Sequence, residues 1–561
     1  MNFTKNIAFT FSLILFLNFS LRANEIEYLI LTPSQFKESA EKLAKLHSED
    51  IKTNLQIKTE VIITKNEITA QEIRTIVQQK IQTNSQLNYL LLIGDNNSLP
   101  PIYKDNGPSD DFYSTAQESE GAPTLSTGRL PISYENDAIV IVNKIIEYSL
   151  NPKPGIWQSK VALIADDQFK NGTYKKTELN HSFNSDLIFD KLENSLHPLT
   201  YYGTLYESVN SSDGLIHEKL TMDILNVIND GVGLINYIGH GSPTTLSDEK
   251  ILDMDRDLNK LCLPSSNCKL KGRLPIWVVG TCSFGQYDEF ETMSESLIKS
   301  ETGGIAIIST TRSIGANTNF KYIDSLFTNI NQFVNDVDIN YRLGDIVKKS
   351  KTGLGSDYLF HLFGDPALPL PFPKKSQSLI ASDQMPTNFT ILSQESISID
   401  LENESEVTIS NYPYEYKMFF ESDSIQISIP GDLIYRGNTI SGDICFRIPL
   451  DASNCDTCSV KLCIYNQNFD GEGGQIQFID NIKILNSQES NQDVIGPQIS
   501  VAFLNHILNN GTILPKEAIL TIALSDESGL NLMTGLQHNI RFWINDEAPS
   551  YSIDPNLFEY T

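Results

Sequence analysis

Apolar positions along the first part of the chain fall into short blocks separated by stretches of helical periodicity. Residues 27–32 (EYLILT) read as a strand, and Pro33-Ser34 leads into FKESAEKLAKLHSED, whose apolar residues recur at helical spacing behind a capping serine. VIIT, a polar helix with Ile73, Ile76 and Ile81, and YLLLIGD complete a β-α-β-α-β order, the pattern of a parallel sheet covered by helices. A helix over 137–148 ends before Asn151-Pro152-Lys153-Pro154-Gly155, a break that marks a boundary. The pattern then restarts with KVALIAD, a helix carrying Glu178 and His181, a helix with Ile224 and Ile228, and the runs LINYI, LPIWVV and GGIAII. Apolar, β-branched runs bounded by glycine are what strands buried on both faces look like.

Beyond Pro373 the period shortens to two. ISIDLENESEVTIS, SIQISIP, GDICFRIPL and SVKLCIY alternate polar and apolar residues, as half-buried antiparallel strands do. After a polar linker at 486–493, GPQISVAFL, LTIALSDESGLN and HNIRFWIND continue the series. The expected organisation is an α/β core of two mainly parallel subdomains, 24–150 and 151–373, then a β-sandwich-like domain, 374–488, and a partial β domain, 489–561.

Two of the buried runs end abruptly in reactive residues. LINYI stops at Gly239-His240-Gly241, and LPIWVV stops at Gly280-Thr281-Cys282. Ligands of open α/β sheets sit outside the carboxyl ends of the strands, so neighbouring strands would bring His240 and Cys282 to one rim. A thiolate is a strong nucleophile, and an imidazole beside it can generate it and then protonate a leaving amine. Gly241 removes side-chain bulk, and its N–H with that of Cys282 can hold the oxyanion formed between those steps. The bland alternative is a buried core thiol and a hydrogen-bonded turn histidine. Thr281, Ser283, Thr311 and Arg312 stand at the same strand ends and are candidates for the substrate cleft. His181, on the polar helix run Asn180-His181-Ser182-Phe183, reads as an ordinary surface residue.

Composition narrows the class. A formal net charge of -28 over 561 residues excludes a nucleic-acid partner, which needs a basic footprint. Lys5, an apolar stretch over 7–21 and Arg22-Ala23 read as a signal peptide, residues 1–23, with the mature chain starting near Asn24. Later runs are too short or too polar to span a membrane. Seven cysteines in an oxidising compartment leave one thiol over. With Cys282 as that thiol, Cys262 with Cys268 makes a local bridge, and Cys445, Cys455, Cys458 and Cys463 pair in one of three ways, zinc being the alternative for their Cys-x-x-Cys. Residues 468–474 (NFDGEGG) lack the ligand spacing of a calcium loop and read as a hairpin.

The segments NYIGHGSPTTLSDE, LPIWVVGTCSFGQYDE and FHLFGDPALPL resemble the gingipain family of cysteine peptidases. Within it, TCSFGQYD followed by GGIAIISTTR looks most like the sortase of the type IX secretion system. The resemblance implies a caspase-like catalytic core followed by Ig-like β domains, with Cys282 as nucleophile and His240 as base. It also implies an acidic residue at the end of the KVALIAD strand that steadies the histidine: Asp166, with Asp167 as competitor. Ser109-Asp110-x-x-Tyr113 and Gly128-Arg129-Leu130-Pro131 match family segments and are read as structural, Asp110 and Arg129 pairing across a loop. No cofactor is required, and a structural calcium ion is left open without an assigned site. The expected partners are exported proteins carrying C-terminal secretion signals, together with outer-membrane components of the secretion system. The location that follows is the outer membrane, the cell surface or the medium.

Overall fold

Ten strands form one sheet in the computed structural model. In chain order they are β1 (Tyr28–Pro33), β2 (Thr59–Thr64), β3 (Tyr89–Ile93), β4 (Ser126–Leu130), β5 (Lys160–Ala165), β6 (His197–Tyr202), β7 (Leu234–Ile238), β8 (Ile276–Gly280), β9 (Ala306–Thr310) and β10 (Phe360–Phe363), and they lie side by side as β6-β5-β7-β8-β9-β10-β4-β3-β1-β2. Every neighbouring pair is parallel except β9 with β10. The structure describes residues 25–49 and 56–376 apart from 106, 152, 154, 171, 212–213 and 262–271. Beyond these it describes 379, 386–390, 394–399, 405–420, 423–431, 433–439, 442–447, 459–466, 474–485, 497–504 and shorter pieces to 552. The expected signal peptide, the Cys262–Cys268 bridge, Cys455, Cys458, the linker 486–493 and most of the loop 468–474 lie outside the described residues.

The two expected α/β units share this sheet. β10 joins them: it pairs with β9 along four residues and meets β4 through the single register pair Phe363 and Arg129. FHLFGD therefore contributes a strand before its turn, where the sequence suggests only a closing turn. The central strands are buried along their whole length, as continuous apolar runs require. Helices cover the faces: α1 (Lys37–Glu49), α2 (Ala70–Thr83), α3 (Glu135–Leu150), α4 (Leu179–Leu192), α5 (Glu218–Asp230), α6 (Met293–Lys299), α7 (Ala316–Asn335) and α8 (Leu343–Lys349). Among the described residues no helix is long and apolar enough to cross a membrane.

Arg129 and Asp110 pair as the sequence suggests. Both are buried, and the guanidinium meets the carboxylate twice, at 2.7 Å each, while also donating to the carbonyls of Gly94 and Leu99. Burial pushes the Asp110 carboxyl up, and the charge and hydrogen bonds of Arg129 overcome this and hold it below its ordinary value.

The C-terminal part is built of β-sheets. β11 (Ser405–Asn411) lies between β14 (Leu433–Thr439) and β15 (Ser459–Asn466), and β15 pairs with β16 (Gln475–Leu485), all antiparallel. Between β11 and β14 the hairpin β12 (Tyr414–Phe420) and β13 (Asp423–Ile429) leaves this sheet and packs β13 on α4. Asp186 of α4 accepts from the Ser428 N–H at 2.6 Å, and Tyr174 donates to Asp423 at 2.9 Å.

Cys463 corrects the expected disulfide scheme. It is buried in β15 and unpaired, and burial pushes its thiol well up from the ordinary value. Cys282 is unpaired as well. Five of the seven cysteines then remain, an odd number, so bridges within the chain leave at least three thiols rather than one. Thiol counting in denaturant without reductant is expected to return at least three per chain, and a count of one would mean that Cys463 is bridged.

Candidate active site

Gly280 ends β8 opposite Ile238, which ends β7, and the Gly239 N–H continues the ladder to the Gly280 carbonyl at 3.4 Å. His240 and Cys282 each stand two residues past these partners. Adjacent strands run about 4.8 Å apart, so the two side chains leave neighbouring positions on one rim, at the carboxyl edge of the sheet. Both residues are partly exposed. Ser283, next to Cys282, has φ +58, a left-handed conformation that costs a non-glycine residue roughly 1–2 kcal/mol. Its N–H reaches the Arg312 carbonyl at 3.4 Å, which ties the turn to the end of β9.

The loop after β7 leaves the Gly241 N–H outside its own pairing. Gly241 faces Leu246 in an isolated antiparallel bridge whose hydrogen bonds run from Ser242 N–H to Thr245 O and from Ser247 N–H to His240 O. These bonds flank Gly241, whose own N–H therefore points to the other side. A Cβ at Gly241 would stand 2.8 Å from the Thr281 hydroxyl and 2.9 Å from the Thr245 carbonyl, so glycine is required by space. Among the described residues, neither the Gly241 nor the Cys282 N–H is taken up by a main-chain bond, which suits both for an oxyanion.

The imidazole is oriented by a residue other than the one expected. His240 Nε2 meets Glu178 Oε2 at 2.8 Å, and Nδ1 is the ring nitrogen left for a thiol. Asp166 instead accepts the main-chain N–H of His240 at 2.9 Å and that of Asp167 at 3.0 Å. Asp166 ends β5 and points at the backbone of the loop beside it, so it fixes where His240 sits but not how its ring turns. Burial pushes the Asp166 carboxyl well above its ordinary value, and the hydrogen bond from His240 only partly offsets this. Asp167, the competitor, is directed away to His217 Nε2 at 3.1 Å and to the Phe169 N–H. Glu178 comes from the 3-10 turn Lys176–Glu178 that opens α4. It also accepts from His181 Nε2 at 3.1 Å, and the two imidazoles cross edge to face with centroids 5.3 Å apart. The hydrogen bonds from His181 and then His240 hold the Glu178 carboxyl down at about 2, against the upward push of burial.

The structure thus brings together Cys282, His240, Gly241 and Ser283, adds Glu178 and His181, and moves Asp166 to the loop. Of the cleft candidates, Thr281 and Thr311 are buried: Thr281 packs under Gly241, and Thr311 reaches the carbonyls of Pro108 and Leu359. Arg312 remains at the rim, but Asp288 holds its guanidinium at 2.8 and 2.7 Å and Glu289 at 3.0 Å. Burial pushes the Asp288 carboxyl up, and the hydrogen bonds of Arg312 and Tyr103 outweigh it.

The sequence profile of Peptidase family C25 matches residues 22–371, more than half of the chain. The chain belongs to Peptidase family C25. Gingipain R2 of Porphyromonas gingivalis (strain W83) is 22% identical over 463 residues, covering 78% of this chain and 56% of that protein. An uncharacterised protein of Archaeoglobus fulgidus is 24% identical over 261 residues, covering 42% and 60%. The chain therefore spans somewhat over half the length of these curated relatives. Among solved structures, the Arg-specific cysteine proteinase gingipain R (RGPB) superimposes with a TM-score of 0.51 at 15% identity, covering 82% of this chain and 98% of that one. That likeness extends to the fold and, at this identity, no further.

Proposed function

We propose that this chain is an exported cysteine peptidase working through Cys282 and His240, of the kind that removes C-terminal secretion signals from cargo proteins at the cell surface. The observation that carries the chemistry is the pairing of two strand ends in register, one bearing the thiol and the other an imidazole oriented by a carboxylate. In this reading the Cys282 proton passes to His240 Nδ1 and the thiolate attacks the scissile carbonyl. The N–H groups of Gly241 and Cys282 receive the oxyanion. Collapse of the intermediate expels the amine, which takes the proton from His240 and leaves a thioester. Water then gives hydrolysis and a bound amine gives transfer, either nucleophile losing its proton to His240. Glu178 engages Nε2, which leaves Nδ1 for the thiol, and stabilises the imidazolium.

The sortase part of the proposal is supported by the TCSFGQYD context of the nucleophile and by the β region after Pro373, read as Ig-like modules. The leader-like residues 1–23 support export. A general secreted endopeptidase is the second reading, favoured by the similarity to gingipain R2.

One experiment has two arms. Iodoacetamide at pH 6 is expected to label Cys282 before the buried Cys463, and to label Cys282 more slowly in His240→Ala; an unchanged rate in that variant would remove the base from the mechanism. In cells, Cys282→Ala is expected to leave surface cargo proteins at their unprocessed mass. Fully processed cargo would end the sortase reading and leave the general peptidase standing.

A further inference from the structure

We propose that His181, His240 and Glu178 form a binding site for a divalent transition-metal ion of the zinc class, and that filling it takes the base out of action. Ion binding stands or falls separately from the peptidase reading, while the loss of the base rests on that reading.

His181 has no part in the proton transfers described above, yet it sits inside the cluster. Two imidazole Nε2 atoms converge on the single oxygen Oε2 of Glu178, at 3.1 and 2.8 Å. Zinc holds nitrogen and oxygen ligands at about 2.0–2.2 Å in a tetrahedron, which places them roughly 3.3 Å from one another. The two oxygen–nitrogen separations are already near that value. One nitrogen from each imidazole also lies within 4.8 Å of the other and of an oxygen of Asp166, so the two rings reach one small volume beside Asp166, and side-chain rotation is needed for Glu178 to share it. Two histidines and one carboxylate form a zinc donor set that leaves a fourth position open. The open side is the rim that carries Cys282, and a thiolate is a donor this class of ion favours.

The surroundings suit an ion held by imidazole. Calcium and magnesium take oxygen ligands, so a site in which two of three donors are nitrogen selects against them. The His240 side chain is 29% exposed, which gives an ion a way in. Glu178 supplies the carboxylate on which both imidazoles converge.

The test uses the full-length Cys282→Ala protein, in which the thiol cannot contribute. It is titrated with Zn2+ by calorimetry and with Co2+ by visible absorption, whose intense tetrahedral band reports coordination independently of turnover. The expected result is one ion per chain with a tetrahedral Co2+ band. His181→Gln and Glu178→Gln in the same background are each expected to weaken binding about tenfold or more, since even outer-shell losses cost 10–100-fold. Equal affinity in His181→Gln would overturn the proposal, as would binding that vanishes in Cys282→Ala, which would indicate a thiolate and imidazole pair instead. Should His181→Gln fail to fold, protection of His181 and His240 from diethyl pyrocarbonate by Zn2+ in the Cys282→Ala protein decides the matter. Unprotected histidines would again overturn it.

Discussion

Replacing Glu178 by Gln is expected to lower kcat about a thousandfold on any peptide the enzyme cleaves, by analogy with the loss seen when a buried carboxylate behind a catalytic histidine becomes an amide. Glu178 is the group at His240 Nε2, and with its carboxyl at about 2 it is anionic at every pH at which an imidazole titrates. The amide keeps the shape and loses the charge that favours the imidazolium. The pH profile separates this role from a structural one. Without the anion His240 is a weaker base, so the acid limb of kcat/KM should move to lower pH in Glu178→Gln. Asp166→Asn, which alters contacts to the main chain of His240 and Asp167 and to the Tyr237 hydroxyl but no hydrogen bond to the imidazole, should leave that limb in place. The converse pattern, with the limb moved by Asp166→Asn and not by Glu178→Gln, would return the orienting role to Asp166.

Arg129→Met is expected to cost about 3–5 kcal/mol of stability, because it leaves Asp110 as a buried charge without its partner. It also strips the guanidinium from the carbonyls of Gly94 and Leu99. Domains are stable by only about 5–15 kcal/mol, so the denaturant midpoint should fall steeply. The pH dependence has a definite sign. The depressed carboxyl of Asp110 contributes stability that is present above the ordinary carboxylate range and is lost as pH falls through its lowered folded value. The deficit of the variant should therefore be greatest near neutrality and narrow in acid, where Asp110 takes up a proton. A deficit that did not vary with pH would mean that lost packing, rather than the unpaired charge, sets the cost.

The strands of the core were legible because burial on both faces leaves a continuous apolar run, and LINYI, IWVVG and AIIST all form strands in place. The strand-end positions of His240 and Cys282 were legible for a related reason: a reactive residue where such a run meets glycine has no core to join. Glu178 was not. It lies 62 residues from His240, on a short turn with no periodicity of its own, and only the folded sheet brings the two together. A local signal was nevertheless present, since Glu178 and His181 stand three residues apart where the turn runs into α4, close enough for their side chains to meet. Asp166 misled because its position at a strand end was right while its carboxylate serves the neighbouring backbone. The cysteine scheme failed on Cys463, whose alternating strand places the thiol on the buried face, a feature that counting alone could not weigh.

The hairpin of β12 and β13 gives the candidate site a mechanical property. It holds α4 through Asp186 and Ser428, and it holds the segment before α4 through Tyr174 and Asp423. Between these two attachments lie Glu178 and His181. Tension that peels the hairpin away would therefore be delivered to the stretch that aims the imidazole, and the C-terminal region would act as a handle through which load on the chain slackens or tightens the catalytic rim.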